Sequence, residues 1–169
     1  AGLCLFAAPA LAATATISSS NHVTVTGQSS DRDQIVVSYD SGADLYLITD
    51  TAGVDGTGAC ADVNASTATC PGAGVVAITV KSGNGSDVII LDPATIPATI
   101  EGNPDGGSGN DVVRGSRADD SIGGGTGDDQ IDGGPGADDL RGGSNTDTLH
   151  YADRTTPVSL DIGSGTEDD

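Results

Sequence analysis

The stretch that decides how this chain reads runs GGSGNDVVR (106–114), GSRADDSIG (115–123), GGTGDDQID (124–132), GGPGADDLR (133–141) and GGSNTDTLH (142–150). Five nine-residue segments follow one another without a gap. Position one is always Gly, and position six is always Asp: Asp111, Asp120, Asp129, Asp138 and Asp147. Position eight is always a branched aliphatic: Val113, Ile122, Ile131, Leu140 and Leu149. A partial copy, GNGSDVI (83–89), lies upstream and off the nine-residue frame.

A unit with one inward aliphatic cannot make a core alone, so units must stack and line up their eighth positions into a continuous apolar ladder. The other positions read as turn. Glycines at positions one, two and four permit positive φ and close backbone approach, leaving carbonyls turned toward a common point beside the Asp carboxylate. Asp at every ninth residue builds a column of negative charge at the inter-strand spacing of roughly 4.7–4.9 Å. Such a column repels itself unless a cation sits between its rungs. The repeats contain no Cys, and their one His, His150, stands at a ninth position. Oxygen-only ligation selects a hard ion, and Ca²⁺, which accepts 6–8 oxygens in loose geometry, fits better than Mg²⁺.

With these residues in view, the segment resembles the repeats-in-toxin, or haemolysin-type, calcium-binding nonapeptide GGxGxDxUx. The resemblance covers about 45 contiguous residues and implies a right-handed parallel β-roll with two nonapeptides per turn and Ca²⁺ between successive loops on one side. Carried over residue by residue, it pairs Asp111 with Asp129 and Asp129 with Asp147 on one side, and Asp120 with Asp138 on the other. Glycine-loop carbonyls at Gly107, Gly109, Gly125, Gly127, Gly134 and Gly136 complete the sites, and Asp87 of the upstream copy joins the set. Ser116 and Ala118 replace glycines in the second unit and Asn145 replaces one in the fifth, so the loops of Asp120 and Asp147 depart from the pattern.

Composition agrees with this chemistry. The 169 residues carry 25 acidic against 6 basic side chains, a net charge of −19, which excludes an electrostatic nucleic-acid binder. All but Glu101 and Glu167 of the acids are Asp, the short carboxylate that suits turns and hard cations. Leu, Ile, Val and Phe make up about a fifth of the chain, and the aromatics are Phe6, Tyr39, Tyr46 and Tyr151 alone. That is a thin core, near the level at which highly charged chains stay disordered, so binding must assist folding. Catalysis is not expected: there is no GxSxG, HExxH or GxxxxGK, and His22 and His150 stand apart. Asp119, Asp128, Asp132 and Asp139 read as solvated surface charge, with Arg114, Arg117 and Arg141 relieving local repulsion.

Upstream, residues 13–101 are rich in Thr, Val, Ile and Ser, and alternate at 14–18, 22–26, 35–39, 45–49 and 75–81, separated by Gly, Asp and Ser turns. This predicts an all-β region. Residues 1–12, an apolar run followed by Pro9 and then Ala10-Leu11-Ala12, read as the remnant of a secretory signal peptide, too short to cross a bilayer. Cys4 then leaves with the leader, and Cys60 and Cys70 are expected to pair in an oxidising compartment. The expected organisation is therefore a leader (1–12), a β-rich region with one disulfide (13–101), calcium-binding repeats (102–150), and a C-terminal strand with a truncated turn (151–169). This order also resembles secreted calcium-binding proteins of high-GC Gram-positive bacteria. The expected function is extracellular Ca²⁺ binding with calcium-dependent folding of the roll, with no transmembrane segment. An adhesin or matrix component contacting a polymer or cell surface, and a non-catalytic part of a larger exported enzyme or toxin, stand as alternatives.

Overall fold

The computed structural model describes residues 12–28, 32–150 and the backbone of 159–161. The expected leader, Ala12 apart, and most of the closing segment 151–169 lie outside the described residues. The described chain is all-β, without a helix. In chain order its strands are β1 (Ala13–Ile17), β2 (His22–Thr26), β3 (Gln34–Asp40), β4 (Leu45–Thr49), β5 (Val54–Gly56), β6 (Ala61–Asn64), β7 (Thr67–Pro71) and β8 (Ala77–Asn84). They continue with β9 (Val88–Leu91), β10 (Glu101–Ser108), β11 (Val112–Arg114), β12 (Ser121–Thr126), β13 (Gln130–Asp132), β14 (Asp139–Ser144), β15 (Thr148–His150) and β16 (Ser159–Asp161).

These strands form two eight-stranded sheets, ordered β16-β14-β12-β10-β8-β2-β1-β5 and β15-β13-β11-β9-β3-β4-β7-β6. From β8 onward the chain alternates between the sheets, and every pairing is parallel. Ile122 stands opposite Leu140 and Val113 opposite Ile131, an offset of 18 residues, so two nonapeptides separate hydrogen-bonded neighbours. Between β8 and β10 the offset is 24, with Val80 opposite Pro104, because the long β9–β10 connection tucks Ile96 and Ile100 inward. The upstream copy is therefore out of frame in sequence yet in register in space, with Ile89 opposite Val113.

The N-terminal strands extend the same two sheets and make them mixed. β2 adds to β8 and β3 to β9 in parallel, whereas β1/β2, β3/β4, β4/β7 and β6/β7 are antiparallel. Each predicted strand forms, 22–26 and 45–49 with the expected bounds and the other three with ends shifted by one to three residues: the run at 75–81 becomes β8. Alternation sets which face is buried. Val23, Val25, Ile35, Val37, Ile48, Ile78, Val80 and Ile89 fill the space between the sheets and run into Val113, Ile122, Ile131 and Leu140 as one core, against which Leu149 is partly buried. Among the described residues the one aromatic fully inside is Tyr46, whose ring centroid lies 4.9 Å from that of Tyr39.

The Cys60–Cys70 disulfide is present, tying the residue before β6 to β7. The reading of positions one and two as turn holds in the second and fourth units, at 115–116 and 133–134, and is corrected in the first, third and fifth. Gly106 and Gly107 belong to β10, Gly124 and Gly125 to β12, and Gly142 and Gly143 to β14, because Gly107 pairs with Gly125 and Gly125 with Gly143 across the ladder.

Candidate metal centre

Each position-six Asp stands just before a strand, where the chain turns into a sheet. Parallel stacking then brings its carboxylate beside the main chain of the previous turn. Asp129 Oδ1 accepts from the Asp111 N–H at 2.8 Å and Asp147 Oδ1 from the Asp129 N–H at 3.1 Å. On the opposite side Asp138 Oδ1 accepts from the Asp120 N–H at 2.9 Å. The structure thus brings together the three Asp pairs expected from sequence. The first column also continues upstream, with Asp111 Oδ1 accepting from the Asp87 N–H at 2.8 Å and Asp87 Oδ1 from the Asp33 N–H at 2.9 Å.

The second carboxylate oxygens matter most for chemistry. The Oδ2 atoms of Asp87, Asp111, Asp129 and Asp147 are buried and have no hydrogen-bond partner. A buried carboxylate oxygen without a donor is costly, and a charge so placed requires a proton or a cation. Beside two of these oxygens stands a carbonyl. A methyl added to Gly106 would lie 2.5 Å from Asp111 Oδ2 and 2.7 Å from the Gly124 carbonyl oxygen. On Gly124 it would lie 2.5 Å from both Asp129 Oδ2 and the Gly142 carbonyl oxygen. Position-one glycine therefore keeps open a cradle lined by one carboxylate and the carbonyl of the next turn.

The remaining glycines stack their main chains. Gly107, Gly125, Gly134 and Gly143 at position two, and Gly109, Gly127 and Gly136 at position four, all have positive φ. Asn145 takes the same conformation at φ 84°, which Asn tolerates better than most residues. A Cβ on Gly125 would strike the Gly107 carbonyl oxygen and one on Gly127 that of Gly109. Among the described residues no three His, Cys, Asp or Glu side chains converge on one point, so a bound cation takes most of its donors from carbonyls. One or two carboxylates with several carbonyls is a donor set that suits calcium.

Burial pushes the Asp111 carboxyl up to about 6, against the lowering effect of the Asp87 N–H, with Asp129, Asp87 and Asp105 adding repulsion. Burial likewise raises Asp120 to about 7, opposed by hydrogen bonds from Gly102 and Ser116. Asp129 is raised by burial and by Asp147 and Asp128. Asp111 and Asp129, neighbours in one column and both raised by burial and by each other's negative surroundings, gain most from a cation that stabilises their charged forms.

Several contributors escaped the sequence reading. The position-one glycines Gly106 and Gly124 line the cradle although the ligand set implied by the resemblance names only positions two and four. Gly27 and Asp33 add a rung upstream in which Oδ2 is already taken: Gly27 N–H donates to the Lys81 carbonyl at 2.7 Å, a methyl on Gly27 would lie 2.5 Å from the Ser82 carbonyl oxygen, and Asp33 Oδ2 accepts from the Gln28 N–H at 2.8 Å. Their spacing is one residue longer than Gly106 to Asp111, so the period hides them. Asp50, whose Oδ1 accepts from the Gln34 N–H at 2.9 Å and whose buried Oδ2 has no partner, carries no sequence signal.

The outer acids do more than solvate. Asp119 Oδ1 accepts from the Ala137 N–H at 2.8 Å and Asp128 Oδ1 from the Thr146 N–H at 3.0 Å, so position five forms a second, exposed ladder. Arg114 lies 3.4 Å from Asp132, and Arg141 pairs with Asp139. Arg117 instead donates to the Pro93 carbonyl at 2.7 Å.

Comparison with known proteins agrees with the geometry. Residues 105–140 and 119–149 match the family model of the RTX calcium-binding nonapeptide repeat (4 copies). No curated protein and no solved structure matches. RTX nonapeptide repeats bind calcium ions, and calcium is the cofactor of this segment. No described helix is long and apolar enough to cross a membrane.

Proposed function

We propose that this chain, whose residues 105–149 carry RTX calcium-binding repeats, is a secreted calcium-binding protein in which residues 102–150 wind as a parallel β-roll completed by the metal. The supporting observation is the column of buried, partnerless Oδ2 atoms at Asp87, Asp111, Asp129 and Asp147, each of the middle two facing a glycine carbonyl. Calcium supplies positive charge between rungs. The carboxylates of this column hold it, with carbonyls at Gly106, Gly124 and Gly142 and the stacked loops of Gly107, Gly109, Gly125 and Gly127. Gly134 and Gly136 line the opposite side with Asp138.

The residues' own contribution is coupled binding and folding. With little calcium, repulsion along the column opposes stacking, and at extracellular concentrations ligation offsets it. Residues 13–101 act as the abutment that starts both sheets, through the β2–β8 and β3–β9 pairings. The Cys60–Cys70 disulfide supports an oxidising compartment. The test is far-UV circular dichroism of the full chain during a Ca²⁺ titration through roughly 10⁻⁴–10⁻³ M, the range of extracellular modules. A cooperative gain of β signal with Ca²⁺, absent with Mg²⁺ and weakened in Asp129→Ala, is expected. A spectrum indifferent to Ca²⁺ overturns the reading.

A further inference from the structure

Ser116 stands at position two of its nonapeptide, where Gly107, Gly125, Gly134 and Gly143 stand in the other four. Those glycines have φ between 78° and 113°, whereas Ser116 is not among the positive-φ residues. Fully buried at 0% exposure, Ser116 turns inward. Its N–H donates to Asp120 Oδ2 at 2.6 Å, and its hydroxyl lies 3.0 and 3.1 Å from the two carboxylate oxygens. The hydroxyl oxygen in turn accepts from the Ala118 N–H at 3.1 Å, and Gly102 N–H donates to Asp120 Oδ1 at 2.6 Å.

Both oxygens of Asp120 are thereby satisfied by the protein, whereas Asp87, Asp111, Asp129 and Asp147 each keep a buried Oδ2 with no donor. Position one does not account for the difference. A methyl on Gly115 would lie 2.6 Å from Asp120 Oδ2 and would also strike the Gly133 carbonyl, much as at Gly106 and Gly124. Position two is where the rungs diverge.

We infer that Ser116 takes the place of a calcium ion at the Asp120 rung, so that this loop closes on hydrogen bonds while the rungs of Asp87, Asp111, Asp129 and Asp147 keep an open carboxylate oxygen for the cation. The inference rests on the calcium reading of the repeats. An amide and a hydroxyl aimed at one carboxylate supply charge-assisted hydrogen bonds of the stronger class. A cation entering there has to displace them, and the buried donors left behind lose their partner. One loop of the repeat segment therefore holds its shape at low calcium, and the stack has a fixed point from which metal-dependent rungs order.

Two measurements on the full chain decide it. The first is the number of calcium ions bound, by native mass spectrometry, in wild type, Ser116→Gly and Asp129→Asn. Glycine in place of Ser116 removes the hydroxyl and admits the positive φ of the other four loops, which turns the amide away from Asp120 Oδ2, so S116G gains one ion per chain, whereas D129N loses at least one. The second is amide hydrogen exchange in EDTA, where the Ser116 N–H is protected before any metal is added. An unchanged count in S116G, or a Ser116 amide protected only after Ca²⁺ is added, overturns the inference while leaving the calcium reading intact. A wild-type chain that binds no calcium overturns both.

Discussion

At the scale of single residues, the repeat works by leaving one atom unsatisfied. Asp129 spends Oδ1 on the Asp111 amide and holds a buried Oδ2 in a cradle with the Gly142 carbonyl. Asp129→Asn replaces that oxygen with a donor able to bond the carbonyl. The expected result has two opposite signs: stability in EDTA rises by about 1 kcal/mol, as for satisfying a buried polar group, while the calcium midpoint rises at least tenfold. Urea unfolding with and without calcium measures both. Gly124→Ala puts a methyl where the structure leaves 2.5 Å to each oxygen. It is expected to cost about 1–3 kcal/mol, the usual range for overpacking, and to abolish the calcium response on the same titration.

At the scale of elements, stability comes from position eight and from the N-terminal clip. Ile131 is fully buried in β13, opposite Val113 on one side and Leu149 on the other. Ile131→Ala is expected to lower stability by about 2–5 kcal/mol. Val112, its exposed neighbour on β11, changes stability by less than about 0.5 kcal/mol on substitution by Ala. A loop as short as that between Cys60 and Cys70 is worth about 2–3 kcal/mol. Replacing both cysteines by Ser lowers the melting temperature accordingly and leaves the calcium midpoint of the repeats unmoved, since β7 and β15 lie toward opposite ends of their sheet.

At the scale of the whole molecule, net charge of −19 and two aligned Asp columns make pH and metal interchangeable. Asp111 and Asp120 titrate at about 6 and about 7 in the fold, above the ordinary carboxylate value, because burial penalises their charged forms. Folding then takes up protons between about pH 4 and 7, so metal-free stability is greatest on the acid side of this interval and falls as pH rises through it. The melting temperature in EDTA is expected to be lower at pH 8 than at pH 5, and saturating calcium narrows the difference. Protons compete with the ion at the Asp111 column, so calcium affinity weakens below about pH 6.

The nine-residue period by itself determined the apolar ladder, the Asp columns and the oxygen chemistry, because each depends only on which side chain recurs at which spacing. Alternation likewise determined β1 to β4 and β8, since a face that must be buried marks every second residue, whereas β5, β6 and β7 form in stretches that read as turn. Tertiary structure decided what spacing cannot express. The β9–β10 connection brings the out-of-frame copy at 83–89 into register, and Gly27 with Asp33 adds a rung one residue too long for the period to reveal. The antiparallel pairings of β1, β4, β6 and β7 depend on chain reversals with no repeat signature. Above all, Asp120 and Asp129 carry the same letter at the same position, yet one carboxylate is closed by Ser116 and the other keeps a bare oxygen. Sequence sets which donors and acceptors exist, and only the stacked backbone decides which of them meet.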